Sequence, residues 1–151
     1  MNFFKVTDTL YRGSAPESID DMRSLKASGI KTVLSLEYGW RAWFGGNLNQ
    51  EIDMGTIVGM DVLSVRMSDF MPPQPADLDA CLALLQNEQK QPVFVHCLHG
   101  VDRTGFVIAA YRVKVQGWKW DDAYKELLSF GFHNWCYFWW VPTLKKYLGV
   151  Q

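Results

Sequence analysis

The chain of 151 residues is 48% hydrophobic and 15% aromatic, and its formal net charge at pH 7 is −1. This composition predicts a single folded domain over residues 1–151, and the near-neutral charge argues against nucleic-acid binding by general electrostatic attraction. No apolar run is long enough to span a bilayer, and the N-terminus lacks the apolar core of a signal peptide. We therefore expect a soluble, cytoplasmic monomer without a membrane partner.

Cysteine usage agrees with a reducing compartment. Cys81, Cys97 and Cys136 are an odd number of cysteines and show no CxxC spacing. This pattern predicts neither a disulfide framework nor a zinc ribbon. Cys81 falls on the apolar face of a predicted helix, so we expect it in the core, whereas Cys136 carries no prediction.

Five short apolar runs are typical of β-strands. The first two surround a polar turn, and the later three are rich in valine, leucine and phenylalanine, as expected of strands of the buried type. The predicted strands are 3–6, 10–12, 32–36, 61–66 and 93–97.

Apolar residues recur at helical spacing between these strands. The first helix is predicted to have Ser14 as its N-cap, Pro16 in its first turn and Gly29 after its last turn. A proline-rich break precedes the next helix, and Asp121 is predicted to cap a later one. Helices are predicted around Ile19, Met22 and Leu25, after Pro72, Pro73 and Pro75 along Leu78, Cys81, Leu82 and Leu85, from 104 to about 116, over 121–128, and over 135–148 with a restart at Pro142.

Strands that alternate with helices predict an α/β fold, with a mostly parallel central sheet flanked by helices. Ligands of such sheets bind at the carboxyl ends of the strands. Side chains that directly follow the predicted strands are therefore the candidates for a functional site.

The richest of these segments is His96-Cys97-Leu98-His99-Gly100-Val101-Asp102-Arg103-Thr104-Gly105. It follows the strand at 93–97 and opens the helix from 104. At such a turn, successive backbone N–H groups point inward at the positive end of the helix dipole and form a nest for a tetrahedral oxyanion. We expect phosphate or sulfate to bind to the amides of Leu98, His99, Gly100, Val101, Asp102 and Arg103.

The same loop carries a nucleophile. The inward N–H groups, the helix N-terminus and the charge of Arg103 favour the thiolate form of Cys97, and the Thr104 hydroxyl could donate a hydrogen bond to the sulfur. Arg103 offers a planar fork that matches two phosphate oxygens, and Gly100 lets the backbone turn tightly beside the anion. These residues predict phosphoryl transfer to sulfur.

Asp69 is the candidate general acid and base. It follows the strand at 61–66, so we expect it on a loop at the same edge of the sheet as Cys97. It could protonate the leaving oxygen and then activate the water that hydrolyses a phosphocysteine. This scheme requires no metal and no cofactor.

The HCx5R[ST] pattern of His96, Cys97, Arg103 and Thr104 resembles the signature of cysteine-dependent protein tyrosine and dual-specificity phosphatases. Asp69 and the prolines after it look like the mobile general-acid loop of that superfamily. The blocks 10–16 and 29–36 resemble its compact atypical dual-specificity branch, which includes enzymes that act on soluble inositol polyphosphates. The resemblance extends to about His133 and implies a dual-specificity-phosphatase-like fold.

Substrate choice within the class depends on the loop interior. That interior contains no lysine and includes Asp102, which disfavours phosphoinositide lipids, whereas His99 could add positive charge. Arg41, which lies among aromatic residues, could contact a second phosphate. On the resemblance, soluble myo-inositol polyphosphates (a phytase-like activity) stand slightly ahead of phosphotyrosine, with a signalling protein phosphatase as the alternative.

Other interpretations stay open. The chain could be a catalytically silent phosphate-binding module, or Cys97 could be a redox-sensing thiol. Asp102 could orient Arg103, hold a water or be solvated. The spacing of His96, Cys97 and His99 fits no standard metal site, so His96 is expected to support the loop. The aromatic tail from Trp135 to Trp140 is expected to pack on the domain.

Overall fold

A five-stranded sheet forms the centre of the protein. The computed structural model describes residues 1–37 and 48–151. The strands are β1 (Phe3–Thr7), β2 (Leu10–Gly13), β3 (Thr32–Ser35), β4 (Asp61–Ser64) and β5 (Val93–His96). Their order is β1-β2-β5-β3-β4, in which β2, β5, β3 and β4 are mutually parallel and β1 is antiparallel to β2. The predicted α/β class with a mostly parallel sheet is confirmed.

Seven α-helices are found in the described part of the chain, with one short 3-10 helix among them. They are α1 (Ile19–Ala27), α2 (Leu48–Val58), α3 (Pro75–Leu85), α4 (Asp102–Lys114), α5 (Trp120–Ser129), α6 (Asn134–Tyr137), the 3-10 helix Phe138–Trp140, and α7 (Val141–Leu148). No helix of residues 1–37 and 48–151 has the length and apolar character needed to cross a membrane.

The pleat of the central strands divides the core in two. Phe94 of β5 packs with Met22 and Leu25 of α1, whereas Val93 and Val95 on the opposite face pack with residues of α3 and α4. Successive side chains of a strand point to opposite faces, so a strand covered on both sides buries consecutive residues, which favours apolar side chains at its centre. This explains the apolar centres of β3 and β5. The strand predicted over 61–66 is not of the buried type: β4 lies at the edge of the sheet, and its residues are exposed or half-buried. The carboxyl ends of the strands are left for the site.

The first and fifth helices begin where the sequence did not predict. The N-cap of α1 is Ser18, whose hydroxyl accepts a hydrogen bond from the Asp21 amide, and the Ser14 hydroxyl instead accepts one from the Asn2 amide. Both serines suit a cap, but only Ser18 stands next to the helical backbone. Likewise Lys119 is the N-cap of α5, so Asp121 lies in its first turn rather than at the cap.

Helices α2, α3 and α4 also differ from the prediction. Pro75 starts α3 instead of breaking the chain, because the first helical position needs no N–H donor. Helix α4 begins two residues earlier than predicted, at Asp102. Helix α2 was not predicted. It contains Gly55, a position at which the Cβ of any other residue would collide with Val62 of β4.

Candidate active site

The loop after β5 lies at the centre of the carboxyl edge, since β5 is the middle strand of the sheet. Cys97 follows β5 directly, and α4 begins at Asp102. Gly100 has a φ of +73°, and a Cβ at this position would collide with the carbonyl of Gly13. Glycine is therefore required here for both the backbone conformation and the close approach to β2.

Arg12 supports the loop from below. It extends from β2, its side chain is fully buried, and its Nη2 donates to the Gly100 carbonyl at 2.9 Å. The guanidinium stacks 3.9 Å above the centre of the Phe130 ring. Burial lowers the pKa of Arg12 to about 10, so the residue keeps its charge at neutral pH. A buried positive charge thus lies next to the predicted oxyanion nest, and the Gly100 carbonyl has a hydrogen-bond partner.

A buried pair holds the start of the loop. His96 Nε2 lies 2.6 Å from Glu51 Oε1, and Nδ1 lies 3.0 Å from the Cys97 carbonyl oxygen. Burial lowers the pKa of His96, but the hydrogen bond to Glu51 and its charge outweigh burial and leave the pKa raised. Because both ring nitrogens face acceptors, the geometry suits an imidazolium paired with a carboxylate. His96 therefore supports the loop, as its sequence context indicates.

Among the described residues, one group has the geometry to hold a metal ion: His96, Glu51 and Glu37. One oxygen of each glutamate and one nitrogen of His96 lie within 4.8 Å of one another, and all three residues are buried. Both nitrogens of His96 already have hydrogen-bond partners. The predicted reaction uses none of the three as a ligand.

Arg103 joins the predicted phosphate-binding loop, residues 97–103, to the candidate acid. Its Nη1 donates to the Leu36 carbonyl after β3 at 3.4 Å and to the Met67 carbonyl after β4 at 3.3 Å. Its Nη2 lies 2.8 Å from Asp69 Oδ1. The guanidinium is almost fully buried, whereas the Asp69 side chain is about one-third exposed. The loops after β3, β4 and β5 therefore converge on one cation.

An open cavity of about 350 Å³ lies above this cation. Cys97, Arg103 and Asp69 all line it, which places the predicted nucleophile, anion binder and acid in one site. Phe70, Tyr137 and Trp140 supply aromatic walls. Burial raises the pKa of Tyr137, so its wall stays uncharged at neutral pH. The remaining lining residues are Leu98, His99 and Asp102.

The sequence left three roles open for Asp102: to orient Arg103, to hold a water or to be solvated. The structure instead pairs Asp102 with His133. Its carboxylate accepts a hydrogen bond from the His133 amide at 2.9 Å, and its Oδ2 lies 2.8 Å from His133 Nδ1. The pair fastens the first turn of α4 to the segment before α6. His133 lies 31 positions further along the chain, so no local pattern could reveal the pairing.

Three further predictions concern Thr104, Arg41 and Cys81. The Thr104 hydroxyl is buried and has no hydrogen-bond partner among the described residues, so the expected bond to the Cys97 sulfur is not formed. Arg41 lies outside the described residues. Cys81 is fully buried in the core as predicted, and burial raises its pKa to about 12, which keeps this thiol protonated.

Four residues of the site escaped prediction: Arg12, Glu51, His133 and Trp140. Each contacts a loop of the site from a distant part of the sequence. Arg12 lies in the block 10–16, and His133 lies at the end of the stretch that resembles the family. That resemblance was the one feature of the sequence that could have pointed to them. Glu51 belongs to the helix that was not predicted, and Trp140 belongs to the aromatic tail.

The fold, the Cys97 loop and the arginine at its end define the class of cysteine-dependent phosphatases. The sequence profile described as "Polymorphic toxin system, DSP-PTPase phosphatase" matches residues 8–117. The chain belongs to this family of dual-specificity and tyrosine phosphatase domains, so the predicted resemblance is confirmed.

Two curated relatives are named for different classes of substrate. The chain is 31% identical over 134 residues to the dual specificity protein phosphatase TpbA of Pseudomonas aeruginosa, which covers 87% of this chain and 56% of TpbA. It is 28% identical over 138 residues to the inositol diphosphatase SIW14 of Saccharomyces cerevisiae, which covers 87% of this chain and 46% of SIW14. The chain thus spans about half the length of the curated relatives it matches.

Solved structures agree with this assignment. The crystal structure of TpbA superimposes with a TM-score of 0.74 at 26% identity and covers 99% of this chain and 84% of that chain. A cysteine-to-serine form of TpbA in complex with pTyr gives the same TM-score. The core catalytic domain of SIW14 in complex with citrate has a TM-score of 0.72 at 25% identity, covering 87% of this chain and 76% of that chain.

Proposed function

We propose that this protein hydrolyses phosphomonoesters without a metal, through a phosphocysteine intermediate. The observation that carries the proposal is the shared cavity of Cys97, Arg103 and Asp69, in which Arg103 already holds a carboxylate oxygen at 2.8 Å. A phosphoryl oxygen is an acceptor of the same kind, and the nest of loop amides would bind the other oxygens.

In the first step the Cys97 thiolate attacks phosphorus, so a P–S bond forms as the ester P–O bond breaks. The leaving oxygen takes its proton from Asp69. In the second step Asp69 removes a proton from water, the water oxygen bonds to phosphorus, and the thiolate leaves. Phosphoryl oxygens replace Asp69 as the partner of Arg103, which leaves the carboxyl group of Asp69 to carry the proton.

For the substrate, we place phenolic esters such as phosphotyrosine ahead of inositol polyphosphates, which reverses the order that the sequence favoured. Arg103 is the one lysine or arginine among the described residues that line the cavity. Two of the remaining lining residues, Asp69 and Asp102, are acidic, and three are aromatic. A polyphosphate would need several cations, whereas a phenyl ring packs well on aromatic walls.

Soluble inositol polyphosphates remain the second candidate because SIW14, an inositol diphosphatase, is among the relatives. A turnover panel distinguishes the two candidates: phosphotyrosyl peptides, inositol hexakisphosphate and p-nitrophenyl phosphate, each with excess chelator. We expect phosphate release that the chelator does not reduce, with the highest kcat/KM on phosphotyrosyl peptides. Higher kcat/KM on inositol hexakisphosphate would reverse the substrate order.

Replacement of the nucleophile tests the mechanism. Cys97→Ser should abolish turnover while the protein still binds inorganic phosphate or vanadate, because the nest and Arg103 remain. Cys136→Ser is the matched control, since Cys136 lies outside the cavity lining, and it should keep full activity. An active Cys97→Ser protein would rule out the phosphocysteine. A wild-type protein that binds phosphate but turns over no ester would be a phosphate-binding module.

A further inference from the structure

Trp140 connects the aromatic tail to the acid loop, which comprises residues 67–71. The indole Nε1 donates a hydrogen bond to the Phe70 carbonyl at 3.0 Å, one residue beyond Asp69. Trp140 is only 1% exposed, and its ring packs against Phe106 of α4 and against Tyr137, at centroid distances of 5.7 and 4.2 Å. The donor is therefore fixed to the core, so the carbonyl that it holds is fixed as well.

Between Asp69 and the buried Pro72 and Pro73, the acid loop is weakly packed. The Phe70 and Met71 side chains are 80% and 55% exposed, and regular structure resumes only at Pro75. The Ser68 hydroxyl accepts hydrogen bonds from the Phe70 and Met71 amides, which shapes the turn locally but ties it to nothing else. The Trp140 indole supplies a long-range anchor on the carboxyl side of Asp69.

We propose that Trp140 is a positioning residue for Asp69, which holds the acid loop so that the carboxyl group faces the leaving oxygen. The inference rests on the proposed function, in which Asp69 is the general acid. It extends that function by giving a buried residue of the aromatic tail a share in proton transfer.

The opposite end of the same segment is also anchored. His133 pairs with Asp102 at the start of α4, 2.8 Å from ring nitrogen to carboxylate oxygen. Residues 133–140 therefore touch the phosphate-binding loop at one end and the acid loop at the other. This arrangement fixes the spacing between the two loops, on which in-line transfer depends.

The test compares leaving groups. Trp140→Phe removes the N–H donor and keeps an aromatic ring, so the loop should lose its anchor. We expect kcat/KM, which reports the step in which the leaving group departs, to fall about 10-fold on phenyl phosphate, whose leaving oxygen needs a proton. On p-nitrophenyl phosphate, whose leaving group is activated, the fall should be less than about 3-fold. The matched control is Trp139→Phe, because the Trp139 indole is 44% exposed and donates to Cys136 within its own segment.

A double-mutant cycle shows whether Trp140 acts through Asp69. In an Asp69→Asn background, Trp140→Phe should cause no further loss that depends on the leaving group. Equal losses of kcat/KM on both esters, or a leaving-group-dependent loss that persists in that background, would overturn the inference. If Asp69→Asn itself lowers kcat/KM equally on both esters, the assignment of Asp69 as the acid fails, and the inference about Trp140 fails with it.

An isosteric variant covers the case in which Trp140→Phe does not fold. Trp140 lies four residues after Cys136, so ligation at this native cysteine can install benzothienylalanine at position 140 of the full chain. That side chain keeps the size of the indole and lacks the N–H. The same selective loss on phenyl phosphate supports the inference, and wild-type rates on both esters contradict it.

Discussion

The two loops of the site are built in different ways. The phosphate-binding loop, residues 97–103, is a contiguous stretch: its amides, the proposed nucleophile and Arg103 come from seven consecutive positions that run from the end of β5 into the first turn of α4. The acid loop has no regular structure and is held by partners from elsewhere: the Leu36 carbonyl accepts from the Met67 amide, Arg103 contacts Met67 and Asp69, and Trp140 contacts Phe70. One loop is specified locally and the other by its neighbours.

This difference has a consequence for mutation. Damage to the phosphate-binding loop should reduce anion binding and chemistry together, because one backbone supports both. Damage to the anchors of the acid loop should affect the proton-transfer step and spare binding. Arg103 is the exception, since it belongs to both loops.

The largest expected effect is therefore at Arg103. Arg103→Lys keeps the charge but loses the planar fork that reaches Leu36, Met67 and Asp69. We expect kcat/KM on p-nitrophenyl phosphate to fall about 1,000-fold, together with weaker vanadate inhibition.

Arg112→Lys is the matched control for this prediction. Arg112 also forms a two-pronged pair, with Glu126, but does not line the cavity. It should keep wild-type kcat/KM. If Arg103→Lys behaved like Arg112→Lys, the two loops would not share a cation that the reaction needs.

The next largest effect is expected at Glu51, whose pair with His96 supports the start of the phosphate-binding loop. Glu51→Gln removes the charged partner of His96 and should lower the free energy of unfolding by about 3 kcal/mol near pH 6, measured by urea denaturation. The raised pKa of His96 means that the pair contributes fully below the ordinary value of 6.5. The contribution is lost as pH rises through the raised pKa.

The difference in stability between wild type and Glu51→Gln should therefore shrink from pH 6 toward alkaline pH. The exposed pair of Lys5 and Asp8 offers a control, since Asp8→Asn should leave stability nearly unchanged. A difference that grows with pH would contradict an imidazolium–carboxylate pair at His96.

The smallest expected effect separates backbone strain from close approach. Gly100→Ala places a side chain at a φ of +73° and against the Gly13 carbonyl, and it should cost about 2–3 kcal/mol of stability and weaken phosphate binding. Gly117→Ala has nearly the same φ, +72°, but nothing within 4 Å of the added carbon.

Gly117→Ala should accordingly cost about 1 kcal/mol and leave phosphate binding unchanged. Thermal unfolding and phosphate titration of both variants measure the difference. Equal costs would mean that the contact with β2 does not constrain the loop.

Much of the fold followed from short-range pattern. The continuous apolar run of β5 and the periodic face of α3 give strand and helix because burial on a pleat or on one helical face requires those spacings. The sequence missed α2, whose apolar residues do not keep one face and which contains Gly55. Caps were the least predictable feature, because Ser14 and Ser18 offer the same hydroxyl and only the backbone path chooses between them.

By itself the sequence determined the reactive loop: Cys97, Arg103 and the glycine between them are close in the chain, so a strand-to-helix turn brings them together. Tertiary structure decided everything that steadies this loop and faces it. Arg12 reaches Gly100 across 88 positions, Trp140 reaches Phe70 across 70, and Glu51 reaches His96 across 45. Such pairs leave no periodic trace, because they arise only when separate strands and helices pack at the same edge of the sheet.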